Sequence, residues 1–295
     1  MAKISKRARQ EELAGWLFAS PWIIGFVFLT LGTMLFSLGM SFTDYDFFNP
    51  PNWVGLDHYR YMLFEDDLVW HSLMITTVYT LASVPLMLVF GLLLAILLNQ
   101  KIKGIGTYRT IFYFPSVLPE IATIFLWILV FDANYGLFNS FLKWFHLSGP
   151  NWLGSMDWAL PSLIIMSLWG VGGGMLIYLA GLQGIPTDLY EAGKVDGAGK
   201  IRMFFTITLP MLSPVIFFNL VMGTIGALQV FNQAYIMTSG GPARSTYFLM
   251  LHIFYKAFQD YDLAYASALS WLLFVYIGVF TLIVFRFGER KVFYG

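Results

Sequence analysis

Six apolar stretches, each long enough to cross a bilayer, constrain this chain more than any other feature. A hydrocarbon core of about 30 Å needs about 20 apolar residues in a helix. Residues 13–40, 73–98, 110–131, 158–183, 212–237 and 263–285 meet that length, and of these only the third contains a charge, Glu120. Hydrophobic residues make up 58% of the chain and charged residues 12%, far more apolar surface than a water-soluble domain of 295 residues needs for its core. Lipid satisfies no backbone polar group, so each stretch is expected to be a helix. The expected fold class is therefore all-α, a polytopic membrane protein with six transmembrane helices. The first stretch exceeds the apolar core of a signal peptide and no small-x-small site follows it, so it is expected to be retained as a helix.

The zero net charge says nothing by itself, but the placement of the charges does. With the N-terminus inside, Lys3, Lys6, Arg7 and Arg9, then Lys101, Lys103 and Arg109, then Lys194, Lys200 and Arg202, then Arg286, Arg290 and Lys291 all fall inside. That is 13 of the 17 basic residues. Arg60, Lys143, Arg244 and Lys256 fall outside, together with ten acids, among them Asp44, Asp46, Asp57 and the run Glu65-Asp66-Asp67. Both termini and the loop around Glu191 are thus expected in the cytoplasm.

That loop is the most polar part of the second half, between charge-free runs at 158–187 and 203–243. Pro186 suits the start of a helix, Thr187 can cap it, and Asp188 and Glu191 complement the positive end of its dipole. Ala192, Val195 and Gly199 then share a small, weakly apolar face, while Gly197 and Gly199 permit close approach or a left-handed exit. On composition alone this is an ordinary capped turn between two spans.

The spacing adds to that reading. Tyr190-Glu191-Ala192-Gly193, then Val195-Asp196-Gly197-Ala198-Gly199, then Ile207-x-Leu209-Pro210 resembles the EAA loop of ATP-binding-cassette importer permeases. Gly193 stands where that family usually has Ala. The surrounding text resembles the carbohydrate branch, relatives of the maltose, lactose and glycerol-3-phosphate importers, over about residues 20–286. The resemblance implies the transmembrane domain of a type I ABC importer: an N-terminal arm, first helix and external loop over 1–70, a core over 71–287 with its coupling loop at 184–210, and a tail over 288–295. It also implies partners: a second permease, two ATP-binding cassette subunits that hold ATP and Mg, an extracytoplasmic solute-binding protein, and a sugar or oligosaccharide as substrate. Tyr190, Glu191, Ala192, Gly193, Val195, Asp196, Gly197 and Gly199 would couple to the ATPase subunit.

A second group of residues sits within the spans. Pro115 and Pro119 interrupt the third stretch, so a half-helix is expected to begin at Glu120, whose acid either bonds to a neighbour or lies on the solute path. Trp169-Gly170-Val171-Gly172-Gly173-Gly174 is dense in glycine. Either Gly170 and Gly174 let helices pack closely, or Gly170 and Gly173 leave room for a bulky solute, as the resemblance implies. Gln229, Phe231, Asn232 and Gln233 close the fifth stretch, where amides are costly in lipid but suit sugar hydroxyls in a wet cavity. The aromatic and acidic segment after the first span, including Trp53 and Glu65-Asp66-Asp67, resembles a docking surface for a binding protein.

Other function classes lack their residues. There is no cysteine, no Gly-x-x-x-x-Gly-Lys-Ser/Thr pattern, and no metal-ligand spacing among His58, His71, His146 and His252. No acids pair within the spans, and no nucleophile stands with a base. A self-sufficient carrier or channel is the alternative, and an intramembrane enzyme a weaker third.

Overall fold

The computed structural model describes residues 6–46, 48–100, 102–288 and 292. The basic positions Lys3, Lys101, Arg290 and Lys291, and most of the 288–295 tail, lie outside them. The regular secondary structure of the described residues is helical, with a single antiparallel bridge, Thr43 to Trp53, as the nearest thing to a strand.

In chain order the α-helices are α1 (Lys6–Gly25), α2 (Gly32–Met40), α3 (Asp57–Phe64), α4 (Asp67–Leu98), α5 (Ile105–Tyr113), α6 (Glu120–Val130), α7 (Leu137–Trp144) and α8 (Ala159–Ser167). They continue with α9 (Gly172–Gln183), α10 (Thr187–Val195), α11 (Lys200–Met203), α12 (Leu209–Met211), α13 (Ser213–Leu228), α14 (Asn232–Met237), α15 (Leu249–Phe258) and α16 (Leu263–Gly288). A π turn over Phe26–Leu31 joins α1 to α2 into one long span, and a 3-10 turn over Leu168–Val171 joins α8 to α9. Among the described residues four helices are long and apolar enough to cross a membrane: Gln10–Met40, Asp67–Leu98, Ala159–Gln183 and Leu263–Gly288. Two bent pairs bring the number to six, matching the expected spans.

The bends occur where the sequence cannot continue a helix. Between Ile105–Val117 and Glu120–Val130 the chain turns by 98°. Leu118, placed before a proline, is extended at φ −66 and ψ 144, and Pro119 has no N–H to donate. The half-helix expected at Glu120 begins there. The fifth stretch departs from expectation. Its first half starts at Lys200 and bends by 63° at Leu212, just before Pro214 in the first turn of α13. It also does not run to residue 237 as one helix. α13 stops at Leu228, Phe231 leaves helical geometry at φ −136 and ψ −62, and α14 is a separate short helix.

The chain divides into two compact units. One consists of the residues up to Asp66 together with Ile253–Leu272. Its segment after α2 is held by side chains: Ser41 Oγ to Tyr59 hydroxyl at 2.7 Å, His58 Nε2 to the Thr43 carbonyl at 2.7 Å, and the Asn52 backbone and amide N–H groups to Asp44. Those two hydrogen bonds hold the Asp44 carboxyl below its ordinary value. The buried Tyr265 hydroxyl donates to Asp66 Oδ2 at 2.7 Å, tying α16 to the end of the same segment.

The other unit, Asp67–His252 with the chain from Leu273, is centred on α4, which packs on α9 and α13. Lipid gives no hydrophobic drive between helices, so contact depends on fit and small residues. A Cβ on Gly91 would stand 3.3 Å from the Tyr178 ring, and one on Gly181 would stand 2.9 Å from Leu212 and Val215. Ala95, Leu98, Met175, Leu179, Leu182, Ile185 and Leu212 complete this core beside Tyr178.

Candidate functional site

Two groups of residues stand out, a polar helical turn around Glu191 and the zone where spans break. In the first, α10 starts directly after Pro186, which is extended at ψ 131 and occupies the cap position. Thr187 is already helical and no side chain caps the helix, so the capping role expected of Thr187 is not realised. At the other end the helix closes with paired hydrogen bonds, Ala198 N–H to the Gly193 carbonyl at 2.8 Å and Gly197 N–H to the Lys194 carbonyl at 3.0 Å. This is a Schellman closure, and Gly197 supplies the left-handed residue it needs at φ +73. Gly199, by contrast, is extended at φ −70, so the left-handed exit belongs to Gly197 alone.

The two halves of the motif meet each other. A Cβ on Gly193 would lie 3.3 Å from Ile207 and 3.5 Å from Met203, and Tyr190 bonds to Thr208 Oγ1 at 2.9 Å. The fixed distance in sequence from Glu191 to Ile207 is thus the length of chain that folds α10 back onto residues 203–208. Within them Phe204–Thr208 form a π turn that leads into α12 and α13. Glu191, Ala192 and Asp196 are exposed, and Val195 is 88% exposed. Ile201, at 77%, and Phe205, at 60%, extend the same apolar display and were not singled out by sequence reasoning. Their position just after a lysine and an arginine hides them in a linear reading.

The second group lies where the third, fourth and fifth spans lose their helices. The 3-10 turns Phe114–Val117 and Leu168–Val171 pack on one another, and α14 packs on α6. Asn232 Nδ2 donates to Glu120 Oε2 at 2.8 Å, joining two residues 112 apart in sequence. The Trp127 and Trp169 rings meet edge to face at 5.8 Å, which brings α6 to the turn that carries Gly170. Buried Tyr79 of α4 lies beside Ser167 and within electrostatic reach of Glu120. Gln229 is exposed at the end of α13, Phe231 stacks on Tyr235 at 5.4 Å, and Gln233 buries an Oε1 that meets no donor among the described residues.

The glycines separate into two kinds. A Cβ at Gly172 would collide with the Phe112 carbonyl oxygen, so this residue makes the tight contact with α5. At Gly170 nothing lies within 4 Å, and at Gly173 the nearest atom is Ser116 Cβ at 4.0 Å. Gly170 therefore plays no part in packing within the chain. Gly172, which no reading of the sequence had distinguished from its neighbours, carries that role with Gly174, where a Cβ would be 3.3 Å from Asn219 Oδ1.

An open cavity of about 610 Å³ is lined by Phe90, Leu93, Leu97, Phe112, Leu168 and Trp169, among others. It lacks the amides and the acid. A polyhydroxylated solute placed there would lose its hydrogen bonds to water without replacement, so the polar break around Glu120 is the better candidate. No cluster of metal-ligating side chains occurs among the described residues.

Residues 87–290 match the family described as the inner membrane component of binding-protein-dependent transport systems. The chain is 43% identical to the probable ABC transporter permease protein YesP of Bacillus subtilis over 99% of its own length and 96% of that protein's. It is 37% identical to the trehalose/maltose transport system permease protein MalF of Thermococcus litoralis over 97% of both chains. Among solved structures it matches a chain of a bacterial alginate ABC transporter in complex with an alginate pentasaccharide-bound periplasmic protein. That match has a TM-score of 0.85 and 23% identity and covers 98% of each chain, a likeness of fold. By family match, identity and fold alike, this chain belongs to the inner-membrane permease components of binding-protein-dependent ABC transport systems.

Proposed function

We propose that this chain forms, with a second permease, the membrane pathway of an ATP-driven importer for a sugar or oligosaccharide delivered by an extracytoplasmic binding protein. Two ATP-binding cassette subunits would hold ATP and Mg²⁺, and both termini of this chain would lie in the cytoplasm. The observation that carries the reading is the form of α10: a short helix, closed by Gly197, that displays Val195 and Ala192 to solvent while its opposite side is fixed to residues 203–208. Exposed apolar side chains on a cytoplasmic turn suit a groove in a partner. A relative named for trehalose and maltose, and the amides at Gln229, Asn232 and Gln233, support a saccharide as solute.

The mechanism follows from the connections. Closure of the ATPase pair would move α10, and Tyr190–Thr208 with the Gly193 contact would pass that motion to the π turn. From there it would run through the bend at Leu212 into α13, whose far end is Gln229. The polar break would then change its access from outside to inside.

A direct test uses the absence of cysteine. Val195→Cys in the assembled transporter should cross-link to the ATPase subunit and resist an impermeant maleimide added outside intact cells. Rapid labelling from outside, or no cross-link in an assembled complex, contradicts the reading.

A further inference from the structure

We propose that Glu120 sets the charge class of the transported solute. The path accepts a polyhydroxylated solute with no negative charge on the unit seated at the break, and rejects uronates, phosphate esters and sulfonates there. The inference rests on the proposed function.

Among the described residues, Glu120 is the one Asp, Glu, Lys or Arg in the interior of a span; the others stand within about two turns of a span end. Its side chain is exposed in this chain. A carboxylate facing hydrocarbon is costly, so the exposed surface looks onto water or a polar solute. Asn232 Nδ2 donates to Oε2, and the other carboxylate oxygen and the Asn232 side-chain oxygen are acceptors only. A group that donates hydrogen bonds satisfies both, as a sugar hydroxyl or an ammonium does. A carboxylate or a sulfonate donates none.

Among the described residues no ion pair engages Glu120. Lys and Arg are absent from 110–142, 144–193 and 203–243, which include every residue assigned to the path. Arg109 is engaged elsewhere, with Nη2 donating to the Leu98 carbonyl at 2.9 Å. The start of α6 would otherwise favour an anion through its dipole, but Glu120 is in its first turn and already complements it. An anionic solute seated there would therefore meet a like charge at close range.

The test is ATP-dependent uptake by the whole transporter, with its binding protein, in proteoliposomes. The probe is a mixed polysaccharide hydrolysate containing neutral, amino and uronic oligosaccharides, and the imported species are sorted by charge in a mass spectrometer. Import confined to neutral or amino species is expected. Import of a uronic species by the wild type overturns the inference and leaves the proposed function standing, whereas no ATP-dependent saccharide import overturns both. Glu120→Gln keeps shape and the Asn232 bond but removes the charge, and should lower uptake of the imported species about tenfold by weakening charge-assisted hydrogen bonds. Subunit stoichiometry should be unchanged. Glu120→Asp should recover most of the loss. Unchanged uptake, or loss of the assembled complex, in Glu120→Gln assigns the residue to packing and overturns the inference.

Discussion

At the scale of single residues, Gly197 carries the clearest conformational demand. Its φ of +73 closes α10, and a β-branched side chain in that region costs about 1–3 kcal/mol. Gly197→Val should leave the spans folded but deform the exposed turn, and Glu191→Lys should reverse a charge on the same surface. Both are expected to abolish stimulation of ATP hydrolysis by loaded binding protein, with Gly197→Val the more severe, measured beside subunit stoichiometry. Normal stimulation in both would make the turn a mere connector. The glycine run allows a second comparison. Gly172→Ala forces a Cβ against the Phe112 carbonyl and should destabilise the assembled complex by about 1–3 kcal/mol, read as a lowered unfolding temperature. Gly173→Leu, whose Cβ would meet only Ser116 Cβ at 4.0 Å, should stop transport with assembly intact. Sequence could count these glycines and name Gly170 and Gly173 as candidates. It could not tell which one abuts α5, because that depends on how a 3-10 turn rotates the face of the helix. Thr187 fails for a related reason: a one-residue shift of the helix end moves the cap from threonine to proline.

At the scale of elements, the six spans were readable because lipid forces long apolar helices on a chain of this composition. The break at Glu120 was readable because two prolines fixed it. The end of the fifth span was not, since no proline or glycine marks the exit at Gln229; amides at 229, 232 and 233 are compatible with either a polar helix face or a broken end. The link between α10 and residues 203–208 was readable only as a spacing, and its physical cause is the Gly193 contact and the Tyr190 hydroxyl. Tyr190→Phe removes that hydrogen bond, worth about 1 kcal/mol. It should leave ATPase attachment intact and weaken coupling, seen as more ATP hydrolysed per solute imported. An unchanged ratio would remove the Tyr190–Thr208 bond from the transmission route.

At the scale of the whole molecule, the chain is proposed to be half of a pathway that cannot work alone. It bears an exposed helix proposed to dock on a motor subunit, an acid with amides at a broken-helix site, and no Gly-x-x-x-x-Gly-Lys-Ser/Thr pattern. The alternative, a self-sufficient carrier, predicts movement of solute by this chain under an ion gradient. The most direct measurement is therefore solute uptake into proteoliposomes that contain either the whole transporter or this chain alone. The account predicts uptake only by the whole transporter, only with ATP and the loaded binding protein, and lost in Gly197→Val. Uptake at a comparable rate by this chain alone, without nucleotide, would contradict it.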